Sequence, residues 1–210
     1  MDKENMEFLE ESLDSEVQHS ETVKQWHKSA LSYLHDLVFG LVGVLFVFMF
    51  LFRMVVVSGP SMMQTLQNGD RLILLSNVLY TNPKYGDIVV ASKKSFKEGE
   101  PIIKRVIATE GQTVDIDFEE GIVYVDGVAL DEPYTNTPTT LFEGTAFPLT
   151  VEKGHVFVLG DNRNDSLDSR SSNIGQIDKR ELLGKAIFLA VPGENMETKQ
   201  RDFNRIGVLP

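Results

Sequence analysis

The chain has 210 residues, 42% of them hydrophobic, with 31 acidic against 20 basic side chains and a formal net charge of −11. That length suits one ordinary domain plus an additional segment, and the acidic surplus argues against nucleic acid as the main partner, since phosphate neutralisation needs a basic surface. No cysteine is present, which excludes a disulfide framework, a thiolate nucleophile and any Cys-based metal site.

Residues 1–35 read as a polar tail, acidic through Glu4, Glu7, Glu10, Glu11, Asp14, Glu16 and Glu21. Met6, Leu9, Leu13 and Val17 fall near one helical face, but the composition is that of a solvated, partly disordered segment. The run LVFGLVGVLFVFMFLF from Leu37 to Phe52 carries no charge, and Arg53 and MVVV follow it. A span taken as 36–57 has about 20 residues, the length a helix needs to cross roughly 30 Å of hydrocarbon. It starts late and follows an acidic tail, whereas a signal peptide has a basic start and a shorter apolar core, so a retained transmembrane anchor is expected. Arg53 can snorkel to the interface. The span can end there, with MVVV leading into the first strand. Lys24 and Lys28 on one side, against Arg53 and Arg71 on the other, lean slightly towards an N-terminus in the cytoplasm.

After the span the period changes to two. RLILLS (Arg71 to Ser76), DIVVAS (Asp87 to Ser92), IIKRVIAT (Ile102 to Thr109), TVDID (Thr113 to Asp117), GIVYV (Gly121 to Val125), HVFVL (His155 to Leu159) and KAIFLAV (Lys185 to Val191) are short and rich in Val, Ile and Phe. Val125-Asp126-Gly127-Val128 signals a tight hairpin, because Asp and Gly tolerate positive φ. Residues 58–210 are therefore expected to form one mainly β domain, a sandwich or barrel. The stretch Asp131 to Phe147 reads as a surface loop.

Three stretches are candidates for chemistry. The first is SGPSMMQTL, Ser58 to Leu66, with two hydroxyls just past the apolar run. A serine nucleophile needs an adjacent base. Past the span the only histidine is His155, at the start of an apolar strand where a structural role is common. One histidine and no cysteine make no typical zinc site, and no cofactor is implied. Lysine is the remaining base, competent when burial lowers its pKa. Most lysines sit in polar loops, but Lys104 interrupts IIKRVIA. Strand alternation puts Lys104 with Ile102 and Val106, and Arg105 on the other face with Ile103 and Ile107. Either Lys104 is a desolvated amine or it is an edge-strand lysine that opposes aggregation.

The third stretch is GDNRNDSLDSR, Gly160 to Arg170. Arg163 and Ser166 break the calcium-loop pattern. A solvated loop and a network orienting a catalytic amine remain. In the network, Ser166 or Asp168 would accept the amine's protons, and Arg163 and Arg170 would pair with Asp161 or Asp165.

Together these stretches resemble bacterial type I signal peptidases, membrane-anchored Ser/Lys proteases. Ser58-Gly59-Pro60-Ser61-Met62-Met63-Gln64-Thr65-Leu66 is similar to the family's S-G-x-S-M-x-P-T-L. Lys104-Arg105-Val106-Ile107 matches its K-R-V-I, and Gly160 to Arg170 matches G-D-N-R-x-x-S-x-D-S-R throughout. The likeness spans roughly residues 37–191.

The resemblance implies a signal-peptidase-like β catalytic domain behind a single anchor. Ser61 would be the nucleophile and Lys104 the general base. Ser166 would hydrogen-bond the lysine, and Asp168 and Arg170 would support it. The Ser61 N–H would donate to the oxyanion. Some members add a hydroxyl two places before the nucleophile, but Gly59 stands there, so no such role passes to Ser58. Gln64 replaces the usual proline, which loosens the turn without removing a reacting atom. The implied substrates are secretory preproteins, cut after small residues in an A-x-A pattern. Val57, Met62, Leu66, Ile102 and Ile103 are candidates to line the pockets, though each is equally suited to a core. The implied setting is a single pass of the bacterial cytoplasmic membrane with the catalytic domain on the outer face. Two other readings compete. A self-cleaving repressor of the same chemistry does not explain the span, and no helix-turn-helix segment precedes the β domain. A tethered β domain that binds preproteins without cutting them draws support from Gln64 alone.

Overall fold

In hydrocarbon, without water, backbone polar groups have only each other as partners, and a helix satisfies them within one segment. A computed structural model of the chain describes residues 26, 31–93, 96, 99–195 and 198–210. The acidic tail to residue 25, with its apolar face, lies outside the described residues, as do Lys24, Lys28, Lys94 and Lys97. The helix, α1, runs Leu31–Leu51; its 21 residues are long and apolar enough to cross a membrane. By internal contact the chain divides into two units, Met1–Met49 and Phe50–Pro210.

The helix begins earlier than the expected 36–57 span and stops before its end. Phe52–Val56 forms strand β1, paired residue by residue with Leu75 to Arg71 of β2. That ladder supplies backbone partners which a helical continuation would lose. Arg53 thus lies opposite Leu74 in a sheet rather than at the end of a helix.

The remaining strands are β2 (Arg71–Ser76), β3 (Ile88–Ala91), β4 (Ile102–Thr109), β5 (Thr113–Asp117), β6 (Ile122–Val125), β7 (Val128–Ala129), β8 (Leu149–Thr150), β9 (His155–Leu159), β10 (Ile177–Asp178), β11 (Leu182–Val191) and β12 (Gly207–Val208). One sheet has the order β1-β2-β11-β3-β4-β9-β10, with β12 also on β11. A second has the order β7-β6-β5-β8. The protein is mainly β, and its ladders are antiparallel. At the expected hairpin, Asp126 and Gly127 take φ of 53° and 79° and connect β6 to β7.

Strand patterns follow position. Alternation is clear in β2, whose exposed and half-buried residues interleave with Leu72, Leu74 and Ser76. β3 is buried throughout, as a strand covered on both faces must be. β4 lies between β3 and β9, so Lys104 is not an edge-strand lysine. Its apolar side chains go to different clusters: Ile102 and Val106 pack with Val89 and Val158, while Ile103 joins Val57, Met62 and Leu66. The 131–147 stretch is more than a surface loop. Thr139 within it is 1% exposed, and Gly144 bridges to Ser171.

β11 lies close against its antiparallel neighbour β2 at Gly184, which pairs with Ser76. A Cβ there would meet the Leu75 carbonyl oxygen at 2.2 Å, a backbone contact with no side chain to swing away. Gly184→Ala should therefore lower the unfolding free energy by about 1–3 kcal/mol, measured by thermal or denaturant unfolding in detergent. Unchanged stability would contradict the close approach.

Candidate active site

Ser61 is carried on a turn. The Val57 N–H donates to the Asp70 carbonyl at 2.8 Å and the Gly69 N–H to the Val57 carbonyl at 2.9 Å, closing the intervening residues into a loop. Gly59, at φ +90°, reverses the chain where a side chain would strain it. Inside the loop the Met63 N–H donates to the Pro60 carbonyl at 2.9 Å and the Leu66 N–H to the Met62 carbonyl at 2.8 Å. Met62 and Leu66 sink into the core beside Leu72 and Val90. The turn is packed on the core by these apolar side chains, and Ser61, just before Met62, stays half-buried.

Lys104 approaches from β4. It is 4% exposed, and its Nζ is hydrogen bonded to Ser61 Oγ at 2.7 Å. Burial lowers its pKa from 10.5 to about 8. Asp168, Asp161 and Glu143 pull the value back up, while Arg170 pushes it further down. Desolvation outweighs these charges because the ammonium form loses its water without a carboxylate in contact.

The polar loop after β9 fixes the two groups against each other. Gly160 packs where a Cβ would stand 2.1 Å from Ser166 Oγ and 2.5 Å from the Ser61 carbonyl oxygen. Asn162 donates its N–H to the Ser61 carbonyl at 3.0 Å and its side-chain amide to the Pro60 carbonyl at 3.2 Å. Asp161 accepts two bonds from Arg105, at 2.8 and 2.7 Å, and one from the Thr65 hydroxyl at 2.6 Å. Arg105, next to the lysine, and Thr65, four residues after the serine in the same turn, thus share one buried carboxylate.

Ser166, Asp168 and Arg170 form a second buried group. The Ser166 hydroxyl donates to Asp168 Oδ2 at 2.8 Å, the Gly160 N–H to the same oxygen at 3.0 Å, and Arg170 grips Asp168 at 2.9 and 2.8 Å. Ser166 was expected to bond the lysine directly. Here its hydroxyl proton goes to Asp168, and Asp168 acts on Lys104 through charge.

The expected arginine pairings differ too. Arg163 pairs with Glu132 at 2.7 and 2.6 Å and also bonds Thr139 at 2.8 Å. Arg170 pairs with Asp168, and Asp161 is taken by Arg105. Glu132 and Thr139 belong to the 131–147 stretch, whose composition concealed its role. Glu143, from the same stretch, places a buried Oε2 3.8 Å from Arg170 Nε. That oxygen has no hydrogen-bond partner among the described residues, and burial raises the carboxyl's pKa.

A cavity of about 370 Å³ opens over the pair. Val57, Met62, Ile102 and Ile103 line it together with Ser61 and Lys104. Leu66 does not: it is fully buried in the core, because its side chain points down from the far end of the turn. Phe96 and Leu167 add apolar walls that strand periodicity could not have picked out. His155 opens β9 with Nδ1 3.1 Å from the Lys153 carbonyl, and it does not line the cavity. No group of three or more His, Asp or Glu among the described residues is arranged to hold a metal.

The model of the signal peptidase family, peptidase S26, matches residues 30–191. The chain belongs to this family. It is 32% identical to signal peptidase I of Bacillus licheniformis over 172 residues, covering 78% of this chain and 90% of that one. It is likewise 32% identical to signal peptidase I T of Bacillus subtilis over 193 residues, covering 87% and 97%. A crystal structure of a signal peptidase I from Enterococcus faecalis V583 overlaps with a TM-score of 0.42 at 30% identity, over 50% of this chain and 97% of that one. Family membership rests on the first two comparisons. The family match takes in Ser61, Lys104 and the whole 160–170 loop.

Burial of the lysine has a thermodynamic consequence. Between its folded value of about 8 and the ordinary 10.5, the unfolded chain binds more protons than the folded one, so this group adds stability as pH rises through that window. Below it both states are charged and the desolvation penalty is complete. Lys104→Met should raise the thermal midpoint at pH 7, and the gain should shrink as pH approaches 10. A gain independent of pH would contradict a depressed lysine.

Proposed function

We propose that this protein is a membrane-anchored type I signal peptidase that cuts secretory preproteins after small residues with a Ser61/Lys104 dyad. The observation that carries the reading is the 2.7 Å bond between Ser61 Oγ and a buried Lys104 Nζ at the floor of an apolar cleft, in a chain of the signal peptidase family.

The chemistry follows from the lowered pKa. A shift from 10.5 to about 8 raises the neutral fraction at pH 7 from roughly 1 in 3000 to roughly 1 in 10. Neutral Lys104 accepts the Ser61 proton as Oγ attacks the scissile carbonyl carbon. The oxyanion receives the Ser61 N–H. The lysine ammonium then protonates the departing amine as the peptide bond breaks, leaving an ester on Ser61. Neutral again, Lys104 takes a proton from water as it attacks that ester, and the serine is released. Asp168, held by Arg170, Ser166 and the Gly160 N–H, offsets part of the cost of the transient ammonium.

The apolar walls of Val57, Ile102 and Ile103 suit small residues before the cut, the A-x-A pattern. An extended substrate would pair with exposed strand edge: β1 ends the large sheet, and β9 covers β4 only from Arg105 onward. The apolar helix Leu31–Leu51 would anchor the chain in the bacterial cytoplasmic membrane. The N-terminus would lie in the cytoplasm and the catalytic domain outside, where preproteins emerge.

In detergent, the full chain should cleave a preprotein bearing an A-x-A site after its small residue. Ser61→Ala and Lys104→Met should each lose at least a thousandfold in rate while keeping cooperative unfolding. Preprotein bound but uncut by the wild type would move the reading to a tethered binding domain. Undiminished cleavage by Lys104→Met would remove the dyad.

A further inference from the structure

The segment after residue 191 lies outside the family match, yet it reaches the turn that carries Ser61. Asp202 caps a short 3-10 helix, Phe203–Arg205, by accepting from the Asn204 N–H. β12 then pairs with β11, Val208 opposite Phe188 and Gly207 opposite Leu189. The Leu209 N–H donates to the Ile187 carbonyl at 3.0 Å, and its side chain packs on the cluster that holds Met62 and Leu66.

Between these points Arg205 turns inward. Its guanidinium donates to both oxygens of Asp70, at 3.0 and 2.7 Å, and to the Thr65 carbonyl at 3.3 Å. Asp70 is fully buried and also accepts the N–H groups of Gln67 at 2.7 Å and Gly193 at 2.7 Å. Thr65 is therefore held from two sides. Its hydroxyl is bound to Asp161, and so to Arg105 beside Lys104. Its carbonyl is bound to Arg205. These polar ties add to the core packing of Met62 and Leu66 in fixing the loop that bears Ser61.

We propose that residues 202–209 act as a clamp on the nucleophile turn, with Arg205 a positioning residue that holds Ser61 at bonding distance from Lys104 through Thr65 and Asp70. The kinetic part of the proposal rests on the dyad reading above; the structural part does not. The guanidinium fork is essential, because an ammonium at this place neutralises Asp70 but cannot also reach Thr65.

Two variants of the full chain in detergent test it. Arg205→Gln removes charge and fork, and Arg205→Lys keeps the charge beside Asp70. Both should lower kcat on an A-x-A preprotein about tenfold to a hundredfold, with KM within about twofold, since a misplaced nucleophile fails in the transition state rather than in binding. Arg205→Lys should keep a thermal midpoint near that of the wild type, which separates positioning from folding. Amide hydrogen exchange at Met63 and Leu66 should quicken in both variants while β5 and β6 stay protected. Unchanged exchange in the turn would overturn the clamp whatever the activity. Wild-type kcat in Arg205→Lys would overturn the role of the Thr65 contact. A wild type that cuts no preprotein, with exchange quickened as described, would sink the proposed function and leave the clamp standing.

Discussion

The structure depends on one unfavourable placement, a lysine amine taken out of water inside a β-sheet. A buried ammonium with no carboxylate in contact costs several kcal/mol, and under the proposed function that cost is what would make the amine a base. The surroundings are balanced so that the penalty is reduced but not cancelled. Asp168, Asp161 and Glu143 act on the amine as charges, and Arg170 opposes them. Two of those carboxylates are already committed, Asp168 to Arg170 and Asp161 to Arg105. A carboxylate free to contact Lys104 would stabilise the ammonium and undo the lowered pKa on which the proposed dyad rests.

The second constraint is alignment. Ser61 and Lys104 come from different parts of the chain, a turn and a strand, and no single element holds both. The 160–170 loop bridges them. Gly160 and Asn162 fix the Ser61 carbonyl, and Asp161 joins Thr65 to Arg105. The loop is in turn gripped by Arg163 on Glu132 and Thr139. This network of buried charges joins the turn to the strand, in addition to the core packing of Met62 and Leu66.

The sequence was most legible where the physics is local. Period-two runs located β2 to β6, β9 and β11, and Asp126-Gly127 located the hairpin. β1 was half hidden, because an apolar run without alternation reads equally as helix or strand until a partner is known. The two-residue strands β10 and β12 carry no period at all. Lys104 stood out by its apolar neighbours, but burial was not decidable until β4 was seen between β3 and β9. The long-range pairings were out of reach. Nothing local says that Asp161 takes Arg105 rather than Arg163, or that Glu132 and Glu143, in a Thr-rich stretch, turn inward. Leu66 fits pocket and core alike by sequence, and its place in the core is not decidable locally, since the direction of a turn residue depends on what lies beneath it.

The most direct test of the account is the pH dependence of kcat/KM for cleavage of an A-x-A preprotein. That ratio reports ionisations of the free enzyme. The acid limb should rise with an apparent pKa near 8, where burial places Lys104. A limb near the ordinary 10.5 of lysine, or one at about 6.5 as for an unperturbed histidine, would contradict a desolvated lysine as the base.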